Sequence, residues 1–147
     1  MSPRPKRGPS GPNNLEINFD EKEGSQIMAN RVMVVDDSRI QEVQIRNLLE
    51  GTDYEVVHYC RSGEDALAVY DEVKPDVVTM DIIMPGMDGL ETAQAILEEY
   101  PEAKIIMVSS LIYDDTIKEA SAIGAKTFLY KPINREGLLK ALQRALS

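Results

Sequence analysis

The stretch Val32-Met33-Val34-Val35-Asp36-Asp37 joins an uninterrupted apolar run to a pair of acids. A strand with one side facing solvent alternates apolar and polar residues, so a continuous apolar run indicates burial on both faces of a sheet. A second run of this kind, Ile105-Ile106-Met107-Val108, precedes Ser109. Strands of this type belong to parallel sheets that helices cover on both faces. The pattern therefore predicts an α/β fold.

Apolar runs alternate with amphipathic segments from residue 31 onward. Ser62, Asp88 and Asn134 stand where they can cap the second, third and fifth helices. The alternation gives five βα units and predicts a doubly wound five-stranded parallel sheet between two helical layers. We expect strands near residues 31–35, 55–60, 76–80, 104–108 and 126–130, and helices near 38–50, 64–73, 89–99, 114–123 and 134–146.

Length and composition favour one folded domain with an extension before it. The chain has 147 residues, of which 43% are hydrophobic, enough for one well-buried core. Residues 1–30 are rich in Pro, Gly, Ser and Asn and show no helical or strand period, so we predict a disordered extension. Met28 stands just before the first strand, and we hypothesise that it is an alternative or true start. The folded domain is then residues 31–147.

The charge of the chain argues against nucleic acid and membrane partners. Residues 1–30 hold four Lys/Arg and four Asp/Glu, whereas residues 31–147 hold 12 and 21, which accounts for the net charge of −9. An acidic surface repels nucleic acid phosphates and anionic headgroups. No apolar run approaches the ~18 residues of a membrane span, and no secretion signal is evident. We expect a cytoplasmic protein that neither binds nucleic acid directly nor inserts into membranes.

The single cysteine and the single histidine both fall in the second predicted strand. Cys60 has no thiol partner for a disulfide or a zinc cluster, which fits a reducing compartment. His58 has no second histidine to share a metal or to assist a phosphocarrier. We interpret both residues as structural and distant from any site.

Chemically active side chains follow several of the predicted strands. Asp36 and Asp37 follow the first, Asp81 the third, Ser109 the fourth and Lys131 the fifth. Ligands of open parallel sheets collect beyond the carboxyl ends of the strands. Carboxylates held together repel unless a hard divalent cation lies between them, and Mg²⁺ prefers oxygen ligands of this kind. The set predicts a magnesium-dependent phosphoryl-transfer pocket.

The combination Asp36-Asp37-Ser38, Asp81 with Met84-Pro85-Gly86-Met87-Asp88-Gly89, Ser109-Ser110 and Lys131-Pro132 resembles response-regulator receiver domains of two-component systems. The similarity is greatest to stand-alone, chemotaxis-type receivers and covers about residues 31–147. It implies a flavodoxin-like (βα)5 fold with strand order 2-1-3-4-5. It also implies a phosphoprotein that promotes only its own phosphorylation and dephosphorylation and is not otherwise an enzyme.

The resemblance assigns roles to the site residues. Asp36 and Asp37 position Mg²⁺ directly or through water, and Asp81 and the backbone carbonyl of Ile83 complete the protein ligands. Asp81 accepts the phosphoryl group from a sensor histidine kinase. Lys131 neutralises phosphoryl oxygens, and the Ser109 hydroxyl donates a hydrogen bond to one of them.

The resemblance further implies a conformational switch and a partner surface. Phosphorylation draws Ser109 and Phe128 inward and changes a surface formed by residues 112–146. The Lys131–Pro132 peptide bond is expected to be cis. Because no output domain follows Ser147, we expect the signal to pass to a separate protein, with the receiver itself a monomer.

Several alternatives stay open at this point. The output partner is a flagellar motor switch protein in a chemotaxis system or a histidine phosphotransfer protein in a phosphorelay, and a stress or developmental role is a third reading. A haloacid-dehalogenase-type phosphohydrolase requires an acid two residues beyond the nucleophile, where this chain has Ile83. A flavin or nucleotide binder requires a Gly/Ser-rich loop where Asp36 and Asp37 would repel phosphate.

The two positions that tune phosphoryl lifetime in similar receivers are apolar here. They lie two residues after Asp81 and two after Ser109, and they are Ile83 and Leu111. Apolar side chains fail to orient an attacking water. We therefore predict a comparatively long-lived acyl phosphate.

Overall fold

The computed structural model of the chain describes residues 29–110 and 113–147. Strands and helices alternate throughout these residues, which confirms the predicted βα units, and each predicted boundary lies within two residues of the observed one. The strands are β1 (Asn30–Val35), β2 (Tyr54–Cys60), β3 (Val77–Asp81), β4 (Ile105–Ser109) and β5 (Thr127–Tyr130), and the helices are α1 (Arg39–Leu48), α2 (Gly63–Val73), α3 (Gly89–Glu99), α4 (Asp114–Ile123) and α5 (Arg135–Leu146).

The five described strands form one parallel sheet in the order β2-β1-β3-β4-β5. This is the strand order that the receiver resemblance implied. The chain winds outward from β1 to β2 and then crosses back to β3, so the winding direction reverses between β1 and β3. Val35 lies opposite Met80 there, which brings the carboxyl ends of the two central strands side by side.

Alternate residues of the strands feed two separate apolar cores, one on each face of the sheet. In β1, Val32 and Val34 point to one face, whereas Met33 and Val35 point to the other. Helices α1 and α5 cover the first face, and α2, α3 and α4 cover the second. The central strands β1, β3 and β4 are therefore buried on both sides, which is the physical reason for the uninterrupted apolar runs of β1 and β4.

The helix caps follow the sequence prediction. Ser62 accepts a hydrogen bond from the Asp65 amide, and Asn134 accepts one from the Gly137 amide. Asp88 and Glu91 form a reciprocal capping box at the start of α3. This box holds the start of α3 next to the loop that leaves β3.

The predicted extension lies almost wholly outside the described residues. Residues 1–28, including the hypothesised start at Met28, belong to that part of the chain. One correction is visible at its end, because Asn30 is the first residue of β1, and its amide donates to the Asp53 carbonyl. Among the residues that the structure describes, no helix is long and apolar enough to cross a membrane.

Candidate metal and phosphoacceptor site

Three aspartates meet at the carboxyl ends of β1 and β3. Asp36 follows β1 directly, and Asp81 is the last residue of β3 rather than the residue after it. Carboxylate oxygens of Asp36, Asp37 and Asp81 all lie within 4.8 Å of one another. Asp36 and Asp81 are buried, with 3% and 5% of their surface exposed, whereas Asp37 faces solvent. The cluster is thus anchored inside the protein and open on one side.

Backbone groups hold the buried Asp36 in place. Its carboxylate accepts a hydrogen bond from the Ser38 amide at 2.8 Å. Its own amide donates to the carbonyl oxygen of Cys60 at 3.1 Å. The interpretation that Cys60 lies away from the site is therefore wrong for its backbone, which the β1–β2 pairing brings beside Asp36. The Cys60 thiol is buried, and burial raises its pKa to about 12, so the side chain itself is chemically inert.

Lys131 reaches the acids from β5, two strands away from β3. Its Nζ lies 3.1 Å from an oxygen of Asp36 and 3.6 Å from an oxygen of Asp81. The Lys131–Pro132 peptide bond is cis, as the resemblance implied. The Lys131 amide donates to the Ser109 carbonyl at 3.1 Å, which ties the end of β5 to the end of β4.

Ser109 and Ile83 flank Asp81. Ser109 is the last residue of β4 and is 2% exposed, and Asp81 pairs with the preceding residue of that strand. The backbone amide of Ile83 hydrogen-bonds to the Asp81 carboxylate. The Ile83 side chain points to solvent with 59% of its surface exposed. All the predicted site residues around Asp81 therefore lie in the same region of the sheet edge.

The pKa of Asp81 is raised from its ordinary value of 3.8 to about 6. Burial is the largest cause because it penalises the charged form, and the neighbouring Asp36 carboxylate adds to it. Lys131 and the Ile83 amide act in the opposite direction without cancelling the rise. The pocket therefore holds more negative charge than its single lysine balances.

The residues present fit a divalent cation. Three carboxylates and one ammonium leave a formal charge of −2, which one Mg²⁺ neutralises. Oxygens on opposite sides of an octahedral Mg²⁺ stand about 4.2 Å apart, twice the metal–oxygen distance, and the observed 4.8 Å limit is close to this spacing. Oxygen donors are also the ligands that Mg²⁺ prefers. The arrangement can hold a metal and a phosphoryl group side by side.

Two other residues from the sequence prediction lie outside this cluster. Phe128 is half-buried in β5, opposite Met107 of β4, and packs against the core on the α2, α3 and α4 face. His58 is exposed on β2. Leu111, which was predicted to influence phosphoryl lifetime, lies outside the described residues.

Comparison with known proteins connects this geometry to a family. The family model for the response regulator receiver domain matches residues 32–143 of the sequence. The chain belongs to the response regulator receiver family. This receiver is 41% identical over 115 residues to the chemotaxis protein CheY of Listeria monocytogenes serovar 1/2a, a match covering 78% of this chain and 97% of that protein.

Solved structures show the same architecture. The receiver matches a structure of the CheX–CheY–BeF3–Mg complex from Borrelia burgdorferi with a TM-score of 0.79 and 29% identity, over 85% of this chain and 95% of that one. It matches CheY4 of Vibrio cholerae with a TM-score of 0.73 and 35% identity, over 80% and 99% of the two chains. The predicted flavodoxin-like fold and the assignment to two-component signalling are confirmed.

Proposed function

We propose that the protein is a response regulator of the cytoplasm in which Asp81 accepts a phosphoryl group from a sensor histidine kinase in a Mg²⁺-dependent reaction. The observation that carries the proposal is the convergence of Asp36, Asp37 and Asp81 within 4.8 Å, with Lys131 Nζ against two of them. Such a pocket has little use in a purely structural protein, because it holds buried like charges together at a cost in stability.

Each residue has a defined part in the transfer. Asp36 and Asp37 would hold Mg²⁺ directly or through water, together with Asp81 and the Ile83 carbonyl. When bound, the ion supplies charge compensation for the transferring phosphoryl oxygens. A carboxylate oxygen of Asp81 bonds to phosphorus while the bond from phosphorus to the donor's histidine nitrogen breaks, and the nitrogen keeps the electron pair. Lys131 neutralises a phosphoryl oxygen.

The phosphorylated form signals through the surface formed by residues 112–146. The Ser109 hydroxyl moves to the phosphoryl group, and Phe128 follows it inward, since β4 and β5 are hydrogen-bonded neighbours. Two large side chains, Tyr113 and Tyr130, are 67% and 56% exposed there. A groove of about 260 Å³ lies between β5 and α5 and includes Phe128 in its lining. Tyr130 also lines this groove, and an exposed aromatic side chain at a groove favours docking of a separate protein.

The pathway is most consistent with chemotaxis. The similar proteins from Listeria, Vibrio and Borrelia are all named as CheY proteins, and the Borrelia structure is a complex with a separate protein, CheX. A motor switch component is therefore the first candidate for the output partner of a monomeric receiver, and a histidine phosphotransfer protein is the second. Phosphorylation-dependent binding to a flagellar switch protein supports the first. Reversible phosphoryl exchange with a phosphotransfer protein supports the second.

Intact-mass spectrometry tests the proposal. Incubation with acetyl phosphate and Mg²⁺ is expected to add one phosphoryl group to the unsubstituted protein and to Asp71→Asn. Asp71 is a matched control because its side chain is 77% exposed on α2, outside the acidic cluster. Asp81→Asn should stay unmodified, and chelation with EDTA should prevent the addition. Labelling of Asp81→Asn, or labelling that is independent of Mg²⁺, would contradict the assignment.

A further inference from the structure

The loop of residues 82–88 joins the phosphoacceptor to helix α3 and lies against the site. At its start, the Ile83 amide hydrogen-bonds to the Asp81 carboxylate. At its end, the Gly89 amide donates to the Ile82 carbonyl at 2.8 Å. A Cβ atom on Gly89 would collide with the carbonyl oxygen of Asp81, so α3 begins in direct backbone contact with the end of β3. The conformation of this loop therefore determines where the Ile83 carbonyl lies.

Helix α2 approaches the same loop from the other side. A Cβ atom on Gly63, the first residue of α2, would collide with the hydroxyl of Thr92 in α3. That hydroxyl donates to the Asp88 carbonyl at 2.8 Å. The first turns of α2 and α3 are thus packed together at the end of the loop. The next residue of α2, Glu64, lies directly over the loop.

Glu64 makes a hydrogen bond to the loop backbone across 23 residues of sequence. Its Oε2 accepts from the Met87 amide at 3.3 Å. Gly86 has a left-handed φ of +77°, and a Cβ atom there would stand 3.2 Å from the same oxygen. The absence of a side chain at Gly86 lets the carboxylate lie close to the loop. Neither the metal ligands nor the phosphoryl contacts described above include Glu64.

We infer that Glu64 is a positioning residue, whose carboxylate holds residues 82–88 in the conformation that presents the Ile83 carbonyl to the metal. The inference rests on the proposed function, because it assigns Glu64 a part in Mg²⁺ binding. A loop that is ordered in advance loses less conformational freedom when the ion binds, so the hydrogen bond to Met87 raises the affinity for the ion. Glu64 acts through the loop and touches neither the ion nor the phosphoryl group.

Three variants separate the hydrogen bond from the negative charge. Glu64→Ala removes both, and Glu64→Gln removes the charge but keeps an acceptor oxygen at the same place. Glu72→Ala removes one negative charge from an exposed position on the same helix and serves as the matched control. Two readouts apply to each variant. They are the hydrogen exchange rate of the Met87 amide in metal-free protein and the Mg²⁺ affinity from a titration followed by amide chemical shifts.

In Glu64→Ala we expect the Met87 amide to exchange faster and Mg²⁺ affinity to fall about three- to tenfold, the range for one typical lost hydrogen bond. Glu64→Gln and Glu72→Ala should stay within about twofold of the unsubstituted protein, which is below the effect of one typical hydrogen bond. A purely structural contribution to folding would leave the affinity of the folded protein unchanged, so the affinity readout separates the two roles.

Unchanged Mg²⁺ affinity in Glu64→Ala would overturn the inference alone, and so would either of two further outcomes. One is unchanged Met87 exchange in Glu64→Ala. The other is equal loss of Mg²⁺ affinity in Glu64→Gln and Glu64→Ala with no loss in Glu72→Ala, which would assign the effect to local charge. Failure of the unsubstituted protein to bind Mg²⁺ would instead reject the proposed function, and the inference would fall with it.

Discussion

Replacing Asp81 by asparagine should make the metal-free protein more stable at neutral pH, although it removes the phosphoacceptor. The pKa of Asp81 is raised because the folded state buries its charge next to Asp36. The amide of asparagine has a similar shape and carries no charge. The substitution therefore removes an unfavourable interaction that the native site carries until a cation binds.

The size of this stability difference follows from the pKa of Asp81 in the unfolded and in the folded protein. The pKa of Asp81 is 3.8 ordinarily and about 6 in the folded protein, so the folded state binds the proton more tightly than the unfolded state. The contribution of Asp81 to stability is thus most favourable below pH 4 and falls as the pH rises toward 6, by about 1.4 kcal/mol for each pH unit. The side chain is only 6% exposed, so solvent screening reduces the effect little. Above pH 6 the charged Asp81 costs at most about 3 kcal/mol.

Urea unfolding in EDTA measures this difference. The free energy of unfolding of Asp81→Asn should be near that of the unsubstituted protein at pH 4 and about 1–3 kcal/mol higher at pH 8, with the change occurring between pH 4 and 6. Asp71→Asn should show no such rise. A difference that stays constant with pH, or a variant that is less stable at pH 8, would refute the burial and charge argument.

Other substitutions test separate parts of the structure. Thr79→Val should raise the free energy of unfolding by about 1 kcal/mol in urea, because the buried hydroxyl has no hydrogen-bond partner among the described residues, whereas Thr79→Ser should lower it. Glu42→Gln should cost about 1–3 kcal/mol by the same assay, since this buried carboxylate pairs with two arginines. Lys74→Gly should gain about 0.5–1 kcal/mol of thermal stability, because Lys74 ends α2 with φ at +51°. Ile83→Asn should speed loss of the acyl phosphate with Mg²⁺ present, and an unchanged decay rate would reject a role for the apolar side chain.

The elements that form the site were predictable because each carries its own signal. Asp36 follows a continuous apolar run, and Asp81 ends a run that only Thr79 interrupts; such runs identify strands buried on both faces. Side chains at the carboxyl ends of parallel strands share one edge of the sheet, so the acids were expected to meet. Periodicity identifies strands but not which strands are neighbours. The adjacency of β1 and β3 was therefore supplied by the receiver resemblance and is confirmed by the structure.

Some features of individual residues were not predictable from local pattern. The sequence pattern of α1 places Glu42 on the polar face of an amphipathic helix. Its side chain is nevertheless only 1% exposed and pairs with Arg39 and Arg46 of the same helix. Glu64 resembles any acid in the first turn of a helix, and its bond to Met87 depends on how α2 meets a distant loop. Lys74 takes a left-handed conformation at a position where sequence rules favour glycine. The burial of Glu42 and the bond from Met87 to Glu64 depend on how side chains pack in the folded protein, which no short sequence window contains.

The most direct test of the central claim is to locate the phosphoryl group at the level of the residue. Borohydride reduces an aspartyl phosphate to homoserine, and tandem mass spectrometry of the digested protein then identifies the modified position. After treatment with acetyl phosphate and Mg²⁺, homoserine is expected at position 81 alone and in no position when Mg²⁺ is withheld. Homoserine at Asp36, Asp37 or another aspartate, or an equal yield without the metal, would contradict the account.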